Sequence, residues 1–335
     1  MDVVQVQEFG SSDVLSLVER ERPEPDEGEV RVAVEAAGIN FADIMQRRGH
    51  YHGGPEPPFV PGMEAAGTVD AVGEGVDLDE GQRVVAMTDG EAYAEYVTTD
   101  AQSLFPVPEG MSFAEAAGFP VQFLTAHSCL FEWGSLDPDG GASGDGSDEQ
   151  ADRVLIHAAA GGVGTAAVQL AHRAGAEVFG TASTQEKRSL AERLGCDHPI
   201  DYTSEDFVDR VNEITDGEGV GLVLDGVGGD TFRKSVDAVP QFGQIVAYGA
   251  ASGEPGQVDT ATLLFGNKTV TGFHLGRAMV EDPDRVLRAV PDLQRGLQAG
   301  ELEVVVGEEF ALENAAEAHE FIEGRNSTGK VVLRT

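Results

Sequence analysis

The run Arg153-Val-Leu-Ile-His-Ala-Ala-Ala-Gly-Gly-Val-Gly164-Thr-Ala-Ala-Val-Gln-Leu-Ala-His172 decides how the rest of the chain is read. A short apolar stretch breaks into glycines and resumes with apolar residues at helical spacing, the pattern of a strand, a tight turn and a helix. Within it Ala159-Ala-Gly161-Gly162-Val163-Gly164 fits the dinucleotide-binding pattern with alanine at the first glycine position. That substitution still permits a tight turn and close approach of backbone to a pyrophosphate. A helix opening at Gly164 would aim unpaired N–H groups and the positive end of its dipole at phosphate. A glycine turn in any packed α/β unit is the competing reading, and the surroundings have to decide.

Downstream, strands and helices alternate. The expected strands are Val154–His157, Glu177–Thr181, His198–Asp201, Gly221–Asp225, Gln244–Tyr248 and Thr269–Phe273, with helical patterns in four of the gaps and an irregular stretch before the last. Six short strands with such crossovers imply an α/β fold built on a doubly wound parallel sheet. A helix near Pro283–Gly300, a strand at Glu303–Val306, a helix at Glu313–Glu323 and a strand in Gly329-Lys-Val-Val-Leu333 follow. The last strands are free to return to the first domain.

Upstream, the first third is β-rich. Val4 and Val6, then Val14, Leu15 and Leu17, flank Gly10-Ser-Ser as a hairpin, and Val30, Val32 and Val34 alternate as a half-buried strand. A turn and short helix are expected over 36–49, then a loop rich in Gly and Pro carrying His50, Tyr51 and His52. Strands follow at Gly62–Val69, Asp79–Ala86 and Ala92–Val97, and helical spacing takes over from Ser112. The low-complexity segment 137–150 is expected to be a mobile acidic surface loop.

Composition narrows the function classes. The chain has 335 residues, 41% of them apolar, enough for two domains with their own cores. Asp and Glu number 59 against 22 Lys plus Arg, a net charge of −37, and lysine occurs only at Lys187, Lys234, Lys268 and Lys330. Such self-repulsion is screened in concentrated salt, where the Debye length shrinks to about 3 Å at 1 M, so a halophile's cytoplasmic protein is expected. The acidic balance argues against nucleic acid as partner. Two cysteines, Cys129 and Cys196, exclude a disulfide framework and a four-cysteine zinc site and read as buried thiols. No leader-like segment opens the chain and no apolar run approaches about 18 residues, so neither export nor a membrane span is expected.

Several motifs in this order resemble a known family. A β-rich first domain, Ala-Ala-Gly-Gly-Val-Gly164, Gly180-Thr-Ala-Ser-Thr-Gln-Glu-Lys187, His198-Pro-Ile-Asp-Tyr202 and Gly329-Lys-Val-Val are similar to the zinc-free quinone oxidoreductases of the medium-chain dehydrogenase/reductase superfamily. Asn40-Phe-Ala-Asp43 and Val270-Thr-Gly-Phe-His-Leu-Gly276 look most like its vesicle amine transport branch. The resemblance covers nearly the whole chain, with 137–150 as an addition. It implies a six-stranded Rossmann domain over 123–274 and a GroES-like catalytic domain from 1–122 with 275–335. It also implies a homodimer paired through Thr269–Phe273, an exposed edge strand.

Cofactor choice is read at the end of the second strand, where NAD-dependent proteins place a carboxylate for the ribose 2′-hydroxyl. Here Val178–Arg188 offers hydroxyls and cations instead. Ser183 as a helix cap and Lys187 as a solvated residue are the plain alternatives. The resemblance places Ser183, Lys187 and Tyr202 around a 2′-phosphate, and NADPH is the expected cofactor. It adds Thr125 near the nicotinamide ribose, Phe273 and Leu275 near the nicotinamide end, and Asn326 and Lys330 from the carboxyl-terminal side. Gly249 lies in a turn that would contact the cofactor or merely reverse the chain.

Zinc-dependent relatives carry Gly-His-Glu and a catalytic cysteine. Here the first reads Gly62-Met63-Glu64, and Asn40 stands where the cysteine would be, so no metal site is expected. Without metal, hydride transfer to a quinone or to the β-carbon of an enone leaves negative charge on oxygen that needs preorganised donors. Asn40 through its amide and Tyr51 through its phenol are the candidates, with Asp43 ordering the pocket or joining a proton relay. Turn, packing and first-turn helix roles are the competing readings of the three. Under a second hypothesis a cleft between the domains, with Phe41, Met45 and Phe59, binds a lipid or a membrane partner and turnover is vestigial.

Overall fold

The computed structural model describes residues 1–138 and 153–335, so from 139 onward the acidic segment read over 137–150 lies outside the described residues. The chain forms two compact units, Met1–Val121 with Glu303–Thr335, and Gln122–Leu302.

The first unit opens with a hairpin, β1 (Asp2–Val6) antiparallel to β2 (Leu15–Glu19). The next strand, β3 (Glu29–Ile39), is longer than its alternation suggests, because Ala36, Ala37 and Gly38 continue it to the start of α1 (Phe41–Arg47). Its end is buried on both faces, with Ala36 and Ala37 fully covered, and small residues are those that fit there. β4 (Glu64–Val72), β5 (Arg83–Met87), β6 (Tyr96–Asp100) and β7 (Leu104–Pro106) follow, then α2 (Phe113–Ala116). Ser112 and Glu115 close a reciprocal capping box on α2, which explains why helical spacing begins there.

α3 (Pro120–His127) leads into the second unit, where β8 (Arg153–Ile156), β9 (Glu177–Ala182), β10 (His198–Asp201), β11 (Leu222–Asp225), β12 (Gln244–Ala247) and β13 (Thr269–Gly272) form one parallel sheet. Its spatial order is β10-β9-β8-β11-β12-β13. The direction of winding reverses between β8 and β11, the point outside the strand ends where such sheets bind ligands. The expected doubly wound six-stranded sheet is therefore present. α4 (Gly162–Arg173), α5 (Gln185–Arg193), α6 (Phe207–Ile214) and α7 (Gly229–Ala238) fill the four expected gaps. The stretch read as irregular before the last strand also contains a helix, α8 (Thr260–Gly266), capped by the Asp259 side chain.

α9 (Leu275–Glu281), α10 (Pro283–Leu287) and α11 (Val290–Ala299) belong with this second unit, which moves the expected boundary from 274/275 to 302/303. The reason is local. Arg285 stacks on Trp133 at 4.1 Å and bonds Glu132, Arg173 pairs with Asp292 at 2.6 Å, and Leu302 is buried against Gly296. The strand expected at Glu303–Val306 begins later, as β14 (Val306–Ala311), since it is this stretch that pairs with the final strand. α12 (Ala315–Glu323) and β15 (Lys330–Arg334) close the chain, and β15 pairs antiparallel with β3, returning to the first unit as expected.

Candidate active site

In the second unit the glycine turn leaves β8 at His157 and enters α4 at Gly162, two residues earlier than the apolar spacing suggested, with Gly161 as N-cap. A Cβ on Gly164 would fall 2.2 Å from the Ala158 carbonyl oxygen, so only glycine lets the helix lie so close to the turn. Ala159, the residue in place of the first glycine, is fully buried, and a Cβ on Gly180 of β9 would meet its methyl at 2.8 Å. The alanine is thus accommodated by a missing side chain on the neighbouring strand. Val163 and Gly161 are half-buried, and Gln122, which sequence reasoning passed over, lies over the turn, its amide nitrogen 2.1 Å from where a Gly162 Cβ would be. The backbone N–H groups at the start of this 12-residue helix are donors suited to a phosphate.

The register Ala182↔Asp201 puts Ser183 and Tyr202 immediately beyond paired residues of adjacent strands. Ser183 is not the helix cap. Thr184 takes that role, accepting from the Lys187 N–H at 3.2 Å. Lys187 is half-buried, and burial lowers its proton affinity. Asp201 is occupied, accepting from Thr203 at 2.6 Å and pairing with Arg188 at 2.7 Å. Ser183, Lys187 and Tyr202 are therefore brought to one edge at which this carboxylate is already engaged.

Toward the switch point, a Gly249 Cβ would fall 2.8 Å from the Gly226 carbonyl, so the turns after β11 and β12 abut. Asp225 Oδ1 holds the first of these turns through the Val227 and Gly228 N–H groups. The Tyr248 ring packs against Gly226 and was not anticipated. Thr125 is buried on α3, Phe273 packs tilted against Trp133 with ring centroids 4.9 Å apart, and Leu275 begins α9. His274 caps α9 by accepting from the Arg277 N–H, a structural role.

The first unit gathers a different cluster. Lys330 on β15 and Glu64 on β4 are both buried, and the Lys330 ammonium donates to Glu64 Oε1 at 2.5 Å and to Asn40 Oδ1 at 2.7 Å. Asn40 Nδ2 donates to the same Glu64 oxygen at 3.0 Å, and the Val121 N–H occupies Glu64 Oε2 at 3.0 Å. Lysine can only donate, so these contacts fix which way the Asn40 amide points. One Nδ2 hydrogen is committed to Glu64, and the other has, among the described residues, the Gly38 carbonyl at 3.5 Å. Gly38 makes the arrangement possible, since a Cβ there would lie 2.7 Å from Lys330 Cε and 2.9 Å from Glu64 Cγ.

Asp43 sits one turn into α1, fully buried, with Oδ2 accepting from the Asn40 backbone N–H at 2.8 Å and from the Tyr93 hydroxyl at 3.1 Å. Burial pushes its carboxyl up to about 7, against the lowering effect of the Asn40 N–H, the Lys330 charge and the Tyr93 hydrogen bond. Tyr51 lies within reach of that charge: burial first, then Asp43, raises its phenol. Asn40 and Asp43 are thus in contact, Tyr51 is close enough for its phenol to feel the Asp43 charge, and Lys330 joins Asn40 through Glu64 and its own ammonium. Asn326 stands apart, exposed, with its amide beside Gly324. Tyr93, Arg47 and His319 were missed. A signal existed, since Asp43 and Arg47 share one face of a short helix whose other buried residue is Ile44.

Two families match the chain. The one described as zinc-binding dehydrogenase matches residues 162–291, and the one described as alcohol dehydrogenase GroES-like domain matches residues 26–109. The chain is 37% identical to a zebrafish (Danio rerio) synaptic vesicle membrane protein VAT-1 homolog, over 98% of its own length and 68% of the relative's. It is 37% identical to a 2-haloacrylate reductase of Burkholderia sp, over 92% and 91% of the two chains. Its fold superposes on Escherichia coli quinone oxidoreductase complexed with NADPH with a TM-score of 0.91 at 32% identity, covering all of both chains.

The zinc in the first description does not fit the residues present. Both Glu64 oxygens are taken by donors, the Lys330 ammonium and the Asn40 amide on one and the Val121 N–H on the other. No group of three His, Cys, Asp or Glu suited to a metal occurs among the described residues.

Proposed function

We propose, for a chain that belongs to the medium-chain dehydrogenase/reductase superfamily and stands with its quinone oxidoreductase-like members, an NADPH-dependent, zinc-independent oxidoreductase acting on a quinone or an α,β-unsaturated carbonyl. The observation that carries the reading is the buried Lys330–Glu64–Asn40 cluster, which sets a cation and a fixed amide where a metal-dependent relative would need ligands.

NADPH, when bound, supplies a hydride and leaves the acceptor's oxygen with negative charge. The residues of this chain supply the rest. The glycine turn and the N-terminus of α4 hold the pyrophosphate, and Ser183, Lys187 and Tyr202 receive the 2′-phosphate. Thr125, Gly249, Phe273 and Leu275 flank the nicotinamide half. Lys330 and Glu64 hold the Asn40 side chain still, so its second Nδ2 hydrogen is aimed before the charge develops. Tyr51 offers the other donor, and Asp43 fixes the Asn40 backbone. Similarity to a 2-haloacrylate reductase supports activated alkenes as one substrate class, and similarity to a quinone oxidoreductase supports quinones as the other.

The alternative, a lipid or membrane-partner binding protein, draws on the VAT-1 relatives. No helix among the described residues is long and apolar enough to cross a membrane. A homodimer is proposed through β13, an edge strand with half-exposed residues and with the exposed Leu264 and Phe265 on the helix before it.

The decisive measurement is NADPH absorbance followed against a panel of small quinones and a panel of enones. Turnover with either panel is expected, and cofactor binding with no turnover on both would move the reading to the binding protein. In the same assay Lys187→Ala should raise the KM for NADPH at least tenfold more than that for NADH, because NADPH alone offers a 2′-phosphate to the charge removed. Equal effects on the two cofactors would remove the NADPH assignment.

A further inference from the structure

Behind the Asn40 pocket, the first unit buries a line of polar groups that the chemistry above does not use. Arg47, Tyr93 and His319 are each fully buried. Arg47 Nη1 lies 3.3 Å from His319 Nδ1, His319 Nε2 lies 3.0 Å from the Tyr93 hydroxyl, and that hydroxyl lies 3.1 Å from Asp43 Oδ2. At the far end Arg47 is held by Glu323 at 2.6 Å.

The direction of every bond follows from one residue. A guanidinium only donates, so His319 Nδ1 accepts and the ring carries its hydrogen on Nε2. That hydrogen goes to the Tyr93 oxygen. The phenol's own hydrogen is then left for Asp43 Oδ2, which also receives the Asn40 N–H. A second proton on His319 would face the guanidinium, and burial together with Arg47 keeps the ring neutral. With two donors on Oδ2, the remaining place for a proton on Asp43 is Oδ1, a buried oxygen with no hydrogen-bond partner among the described residues.

We propose that Tyr93 and His319 are positioning residues, a one-way donor line from Arg47 that turns Asp43 Oδ2 toward Asn40 and sets how tightly Asp43 holds a proton on Oδ1. The other groups acting on that carboxyl come from separate elements. Lys330 on β15 favours its anion, Glu64 on β4 opposes it, and Tyr51, in the loop after α1, is in turn raised by it. Burial pushes the carboxyl up to about 7, and the Asn40 N–H, the Lys330 charge and, at the end of the donor line, the Tyr93 hydroxyl oppose it. The link to turnover rests on the reading of Asn40 as the residue that meets the acceptor.

The test is a pH titration of the protein carrying 13C-carboxyl aspartate, in which the resonance that titrates near neutrality and vanishes in D43N reports Asp43. Y93F removes a donor to the anion and should move its midpoint up by about one to two pH units, the equivalent of one hydrogen bond to a charged group. H319L should move it up by less, since it only weakens the phenol as a donor. H319Q should restore it, because a glutamine can accept from Arg47 through its oxygen and donate to Tyr93 through its nitrogen. The pH profile of kcat for NADPH oxidation should shift in parallel. A midpoint that stays or falls in Y93F would overturn the proposal, and so would H319Q behaving as H319L. If Y93F does not fold, the contrast between H319L and H319Q decides alone. Should the resonance move while the kcat profile does not, the donor line stands and the part assigned to Asp43 in turnover falls.

Discussion

Asp43 and His319 bind protons in opposite senses, and their coupling makes a sharp prediction about stability. Burial raises Asp43 from its ordinary 3.8 to about 7, and burial with Arg47 lowers His319 from 6.5 to about 3. Between pH 3.8 and 7 the folded chain keeps a proton on Asp43 that the unfolded chain has released, so this group makes stability fall as pH rises. Between pH 3 and 6.5 the folded chain refuses a proton that unfolded His319 has taken, so that group makes stability rise with pH. From 3.8 to 6.5 the two slopes cancel. Removing one group uncovers the other. Relative to the parent protein, the unfolding free energy of H319Q should fall by about 1.4 kcal/mol per pH unit across that window, and that of D43N should rise by a similar amount. Urea unfolding at a series of pH values measures both. Profiles parallel to the parent's in both variants would show that the two groups titrate normally.

At the scale of elements, the end of β3 is where a small change should act most strongly. An alanine at Gly38 would press its methyl against the Ala117 carbonyl and into the space shared by Lys330 and Glu64. Forcing that pair apart leaves a buried charge without its partner, and G38A should lose about 3 kcal/mol of stability, read as a lower denaturation midpoint at unchanged slope. Loss below about 0.5 kcal/mol would mean that the strand moves aside and the pair survives.

The same elements show what the sequence could reveal. The parallel sheet was legible because its central strands are short apolar runs with polar residues or glycine at their ends, as in Val154 to Ile156 between Arg153 and His157, and Leu222 to Leu224 between Gly221 and Asp225. The end of β3 was not, because Ala36 to Gly38 carry no alternation once both faces are covered. Asn40, Asp43 and Lys330 were found through their motifs, but the contact between Asn40 and Lys330 spans 290 positions and has no local signature. His319 was hidden for another reason. In Ala-His-Glu-Phe of α12 it reads as an ordinary helix residue, and only the packing of that helix turns it inward to Tyr93.

For the whole molecule, the net charge of −37 sets the expected response to salt. The scarce cations are shared: Arg31 meets Glu24 and Asp70, and Arg153 meets Glu177 and Glu218. With 59 acidic residues against 22 Lys and Arg, sharing of this kind still leaves a large repulsion uncompensated. On the proposal of a salt-rich setting, the melting temperature should rise steadily as KCl is raised from about 0.1 M, where the Debye length is about 10 Å, to about 1 M and beyond. A melting temperature that is the same in dilute buffer and in molar KCl would end that proposal.

The second unit is one continuous stretch of chain, whereas the first is split and is completed by β15. On the ribosome, Gln122–Leu302 is fully made while β3 still lacks its last neighbour and Glu64 its cation. The second unit therefore needs nothing beyond Leu302 to complete its own sheet, whereas the first cannot complete its sheet without β15. Until β15 is made, Glu64 lacks the cation that meets it in the finished fold, so the last strand carries both the final neighbour of β3 and the counter-charge of a residue on β4.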